Sequence, residues 1–212
     1  MLTPHTLIVA SLVALALYTV MMVALHLLPT GFNPARNPVS LYAAGPFGWL
    51  HAPLAQFAAG LCALGMAAAF IWLRAPLPGF GLAALNTLGV ARLALNLVPA
   101  RLSDTQIKRG DPLPRRVIAH DLLAVVSFGC IAIVTISLTG PLIGWSAWQS
   151  GHGSAPWLIA AAVYTPLAVI MFPIAAVVAR LRPYFGLFQR AIYVGIILWQ
   201  TLALIPLLAL PR

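Results

Sequence analysis

Arg92 lies inside one long apolar run and Asp121 just inside another. A charged side chain in hydrocarbon costs at least about 3 kcal/mol unless it is paired or reaches water. Arg92 precedes the end of its run by six residues, roughly 9 Å of helix, and Asp121 follows the start of its own by four, roughly 6 Å. The two depths match if the runs are joined at that end, so an Arg92–Asp121 ion pair is expected. Asn86, Gly89, Arg92 and Asn96 fall within about 120° of arc on a 3.6-residue helix, a polar stripe that should face protein.

Three histidines gather at the same end: His26 closes one run, and His51 and His120 open two others. Three chemistries suit this set. Arg36, Arg92 and the basic stretch after position 100, with Tyr42, Asn96 and Asp121 nearby, could bind a lipid headgroup or another amphiphilic anion against an apolar groove. This reading asks least of the residues and ranks first, for a lipid-interacting accessory factor or a transporter. Second, His51 and His120 with either His26 or Asp121 could hold zinc and leave one position open for a water whose pKa the metal lowers. Ser40 or Asp104 would then assist proton transfer or oxyanion binding. Neither HExxH nor HxxxH occurs, and glutamate is absent, so the base of such a hydrolase would be aspartate or histidine. Third, His51 and His120 could be axial ligands to a haem, although span openings cover a macrocycle poorly and no CxxCH is present. Taken singly, each histidine reads more plainly as an interfacial anchor.

The elements that must position these groups follow from composition. With 62% hydrophobic and 7% charged residues and a mean hydropathy of +0.98, the chain belongs in a bilayer. About 20 apolar residues cross the hydrocarbon core, and six runs qualify, at about 6–28, 52–73, 77–98, 117–140, 156–179 and 187–209. The fold class is therefore all-α, a single six-helix transmembrane bundle. The first run exceeds a signal-peptide apolar region and has no basic residue before it, so it reads as a retained span. Arg36, Arg101, Lys108, Arg109, Arg115, Arg116, Arg180, Arg182 and Arg190 fall on the side of connections 1, 3 and 5, against Arg74 and Arg212 on the other. Those connections should be cytoplasmic in a plasma (inner) membrane protein, with both termini outside. The net charge of +9 is spread over three juxtamembrane connections with no aromatic-interleaved basic domain, so membrane lipids rather than nucleic acid are the expected partners. A homo-oligomer or a partner subunit stays open.

Residues 30–50 hold two Asn-Pro steps and three glycines between two spans. Such a segment is either a tight surface loop or a lid that dips between helices, where protein or water must satisfy its backbone. An internal repeat includes it. Positions 24–29 read ALHLLP and 94–99 read ALNLVP; positions 51–60 and 120–129 share His, Leu, Ala and Gly in register. The two hairpins thus read as parallel copies of one unit, though apolar sequences match cheaply by chance. Cys62 and Cys130, inside spans and without CxxC spacing, read as small core residues. Trp49, Trp72, Trp145, Trp148 and Trp157 sit near span ends and read as interfacial anchors. No phosphate-loop or dinucleotide-binding glycine pattern is present.

The pattern Asn37-Pro-Val-Ser-Leu-Tyr42 before the second span, Pro99-Ala-Arg-Leu-Ser-Asp104 after the third, and His120 opening the fourth resembles the prokaryotic six-span family known as domain of unknown function 998. The resemblance covers nearly the whole chain and implies the six-helix fold. It singles out Ser40, Tyr42, Asp104 and His120 without implying a reaction. The third connection is lengthened by Lys108–Arg116, which leaves Asp104 and Asp111 as alternatives.

Overall fold

The computed structural model describes residues 3–98 and 115–210. Among the described residues all regular structure is helical: α1 Pro4–Leu27, α2 Leu50–Trp72, α3 Gly79–Ala94, α4 Arg115–Gly144, the short α5 Ser146–Ser150, α6 Ala155–Val177 and α7 Phe185–Leu204. Five are long and apolar enough to cross a membrane: α1, α2, α4, α6, and α7 with its flanking turns. Besides the short α5 the exception is α3, whose 16 residues span roughly 24 Å, short of a hydrocarbon core of about 30 Å. The run expected to continue to 98 leaves the α-helix at Ala94. Asn96 N–H donates to Leu93 O and Leu97 N–H to Ala94 O, so the chain tightens from four-residue to three-residue bonding.

Helices adjacent in sequence pack side by side, α1 on α2, α2 on α3, α3 on α4, α4 on α6 and α6 on α7, and α7 closes the ring against α1. Lipid supplies no hydrophobic drive between helices, so close approach depends on small residues. At the α2–α3 crossing a Cβ on Gly60 would stand 2.7 Å from Leu93 Cγ, and one on Gly89 would stand 2.6 Å from Leu64 Cγ. Cys62 is buried and Cys130 half-buried, both as free thiols, in keeping with small core residues. Trp49, Trp72 and Trp157 are exposed at helix ends, as interfacial anchors should be. Trp148 is not an anchor: it is buried, with Gly153 packed against its ring, because the short α5 turns it inward.

Residues 28–49 form a folded cap. Asn33 Oδ1 accepts from Ala35 N–H at 2.9 Å, Asn37 Oδ1 accepts from Asn33 N–H at 2.7 Å, and Gly31 takes a left-handed φ of 76°. A 3-10 turn, Val39–Ala44, then buries Val39 and Tyr42. The next helix opens irregularly. Ala52, held out of helical geometry before Pro53 (φ −113°, ψ 89°), breaks the π-helical turn Leu50–Ala55 that carries His51.

Candidate functional site

Beneath the cap lies a cavity of about 560 Å³ between α4, α6 and α7, with Arg92 of α3 and His51 and Gln56 of α2 in its wall. Ser40 of the cap, His120 and Ser127 of α4 and Gln189 of α7 add polar groups to a lining that is otherwise mainly apolar. His120 and Ser127, seven residues apart, share the inner face of α4 and are both buried.

Arg92 is 3% exposed. Its Nη1 donates to Gln56 Oε1 at 3.2 Å, and its guanidinium lies over the Tyr193 and Phe128 rings at 5.2 and 5.8 Å. This short network fixes proton positions. Arginine only donates, so Gln56 must present its carbonyl to Arg92 and its amide nitrogen to His51. His51 Nε2, 3.3 Å from Gln56 Nε2, must then accept, which places the proton of a neutral His51 on Nδ1. Among the described residues that buried Nδ1 has no hydrogen-bond partner, and neither has the buried Ser127 Oγ. His120 Nδ1 donates to Val98 O at 2.8 Å, leaving its Nε2 with the lone pair.

The expected Arg92–Asp121 pair does not form. Asp121 stands on the exposed side of α4, about 100° around the helix from His120, and lines the rim of the cavity instead. Of the other candidates, Ser40, His51 and His120 meet Arg92 around the cavity. Arg36 is exposed on the cap, and half-buried Asn96 lies outside the lining, its Oδ1 without a partner among the described residues. Asp104, like Asp111, lies outside the described residues.

His26 and Tyr42 belong to a second cluster, built on Arg190 of α7. Arg190 Nε donates to His26 Nε2 at 2.6 Å and Nη2 to Tyr42 Oη at 2.8 Å; Nη1 donates to Asn37 O at 2.9 Å and Gly186 O at 2.8 Å. His26, its Nε2 accepting, donates from Nδ1 to Met22 O. With Gly186 N–H bonded to Ala35 O at 2.8 Å and Val39 N–H to Gln189 Oε1, these contacts fasten the cap onto α7. The three histidines therefore do not converge. Among the described residues no three His, Cys, Asp or Glu side chains gather as a metal-binding group, and the lone pair of His51 Nε2, which zinc or haem would need, faces Gln56.

Gln56, Ser127, Gln189, Phe128 and Tyr193 join the site without a motif to mark them, and Arg190, a juxtamembrane charge by sequence, proves structural. For Gln56 a signal existed: an amide set five residues after His51 in an otherwise apolar run.

Long apolar helices around a capped, mainly apolar cavity define an integral membrane protein of the helical-bundle class. The chain belongs to the family described as protein of unknown function (DUF998), whose profile matches residues 12–205, from within α1 to the turn after α7. No curated protein and no solved structure matches the chain.

Proposed function

We propose that this protein binds an amphiphilic anion, a lipid headgroup of the cytoplasmic leaflet, as an accessory factor or transporter in the plasma (inner) membrane. One observation carries the reading. Arg92, buried at the wall of a largely apolar cavity, has no carboxylate partner among the described residues. Removing the partner of a buried charge costs about 3–5 kcal/mol, so a cation left with one amide and two aromatic faces is suited to an anionic guest. The Nδ1–H of His51, without a partner among the described residues, supports the same polarity, since it too needs an acceptor. In this reading α3, extended by the turns to Val98, is a sixth crossing. The two hairpins α1–α2 and α3–α4 are copies, consistent with His51 and His120 lining one cavity. The cap end is cytoplasmic and both termini face outside.

Native mass spectra of the gently purified protein test the ligand. An anionic phospholipid should be retained by the parent and lost about tenfold in Arg92→Gln, the value of one charge-assisted hydrogen bond. A zinc or haem mass that disappears in His51→Ala and His120→Ala would replace this reading with a cofactor site. For orientation, Arg36→Cys, in a background without Cys62 and Cys130, should react with an impermeant thiol reagent only in inverted vesicles. Reaction in right-side-out vesicles would move the cavity to the other leaflet.

A further inference from the structure

We infer that the cavity seats the acyl chain as well as the charged group of one membrane lipid, and that the lipid arrives sideways, between α4 and α6. The inference rests on the anion reading of Arg92 and specifies the ligand and its route.

The lining residues of α4 run from Val117 to Gly129, roughly 18 Å along the helix axis, more than half of a hydrocarbon core of about 30 Å. The cavity therefore reaches far below headgroup level. Its rim lies along the helix rather than at its end: Asp121, Val125 and Gly129 follow one another at four-residue spacing on one face of α4, and all three are exposed. Across the opening, exposed Pro173 of α6 lacks the N–H that would bond Val169 O, and both residues line the cavity, so α6 is loosened at that edge. Inside the rim the wall turns aromatic, with Phe128 edge-on to Phe172 at 5.6 Å and Phe172 stacked on Phe185 at 4.5 Å.

The cap lies over the end of the cavity, with Pro38, Ser40 and Leu41 in the lining. Its bonds to Gly186, Gln189 and Arg190 hold it there. The side toward lipid carries no such closure among the described residues. A guest with its chain in the bilayer can slide its headgroup in toward Arg92 while part of the chain stays in the opening. Asp121 does not reverse the sign of the site. It stands exposed at the rim near the start of α4, whereas Arg92 is buried in the wall.

Gly129 permits a selective test, because a Cβ there meets nothing within 4 Å. Gly129→Trp would set an indole at the rim from a Cβ that meets no neighbour, and Val125→Trp, at a rim position 67% exposed, is the second variant should the first fail to fold. Two probes share one headgroup: dioleoyl phosphatidylglycerol, read by native mass spectrometry, and water-soluble dihexanoyl phosphatidylglycerol, read by its thermal shift. The tryptophan variants should retain the dioleoyl lipid about tenfold less while keeping the dihexanoyl shift, and Arg92→Gln should lose both. Tryptophan variants that hold the dioleoyl lipid like the parent would overturn the chain seat and leave the anion site standing. Loss of both probes in a tryptophan variant of parental melting temperature would overturn it too, since the space near Gly129 would then serve the headgroup. Retention of both probes in Arg92→Gln would overturn the anion reading itself.

Discussion

Gln56→Glu should make the protein more resistant to heat and unable to hold an anionic lipid. The substitution changes one atom of a side chain whose carbonyl oxygen already faces Arg92 Nη1 at 3.2 Å. A carboxylate there turns a bond from a cation to a neutral acceptor into an ion pair, with both partners inside the fold. His51 adapts at little cost, because a neutral imidazole can move its proton from Nδ1 to Nε2 and donate to the new carboxylate. The gain in stability should be on the order of 2 kcal/mol, since it removes part of the penalty carried by a buried unpaired charge. The same carboxylate occupies the donors a guest would use and repels any second anion, so lipid retention should fall by about hundredfold or more, two or more charge-assisted bonds' worth. Thermal melts and native mass spectra of parent and variant check both halves. A variant that melts higher yet retains the lipid would detach the guest from Arg92, and one that melts lower would mean that Arg92 is already compensated.

The two internal arginines show how partners separate a ligand site from a structural one. Arg190 donates to four neutral acceptors on three parts of the chain, the cap, α1 and its own helix, and so has little left to offer a guest. Arg92 makes one such bond among the described residues and otherwise lies over rings, whose faces attract a cation without accepting its protons.

That distinction was only half legible in the sequence. Apolar runs report membrane helices directly, because their length answers to bilayer thickness, and the cost of charge in hydrocarbon marks Arg92 for a partner. The partner itself depends on how α2, α3 and α4 are turned about their axes. Hydropathy does not encode that phase: Asp121 lies at the right depth but on the outer face of α4, while Gln56, hidden among alanines, faces inward. The prolines and glycines of residues 30–50 leave a tight surface loop and a lid both open, and the segment folds on Asn-based turns. What it docks against was not legible, because Gln189 and Arg190 lie some 150 residues away in sequence. The length of α3 falls short of its apolar run for a local reason. Residues 95–98 are apolar enough to extend a span but bond as three-residue turns.

Replacing Arg190 tests whether the cap is held as its bonds imply. Arg190→Ala would strip a donor from His26 Nε2, Tyr42 Oη, Asn37 O and Gly186 O together. Hydrogen bonds from a charged donor contribute about 1.5–3 kcal/mol each, but these acceptors are only part-buried and water can replace some of the loss, so a net cost of about 3 kcal/mol is expected. Arg190→Lys should recover little of it. An ammonium on a single stem cannot meet acceptors that a planar guanidinium reaches from three nitrogens at once. Loss of the latch should also free the cap before the bundle melts, because the cap's remaining hydrogen bonds to α7 are Gly186 N–H to Ala35 O and Val39 N–H to the Gln189 side chain. Exposed Arg36 reports this: trypsin should cut after it faster in Arg190→Ala than in the parent, at temperatures where both remain helical. Equal cleavage and equal melting would show that the cap stays down without Arg190. Faster cleavage with parental melting would instead make the cap a separately opening lid, held by this one side chain above a bundle that does not depend on it.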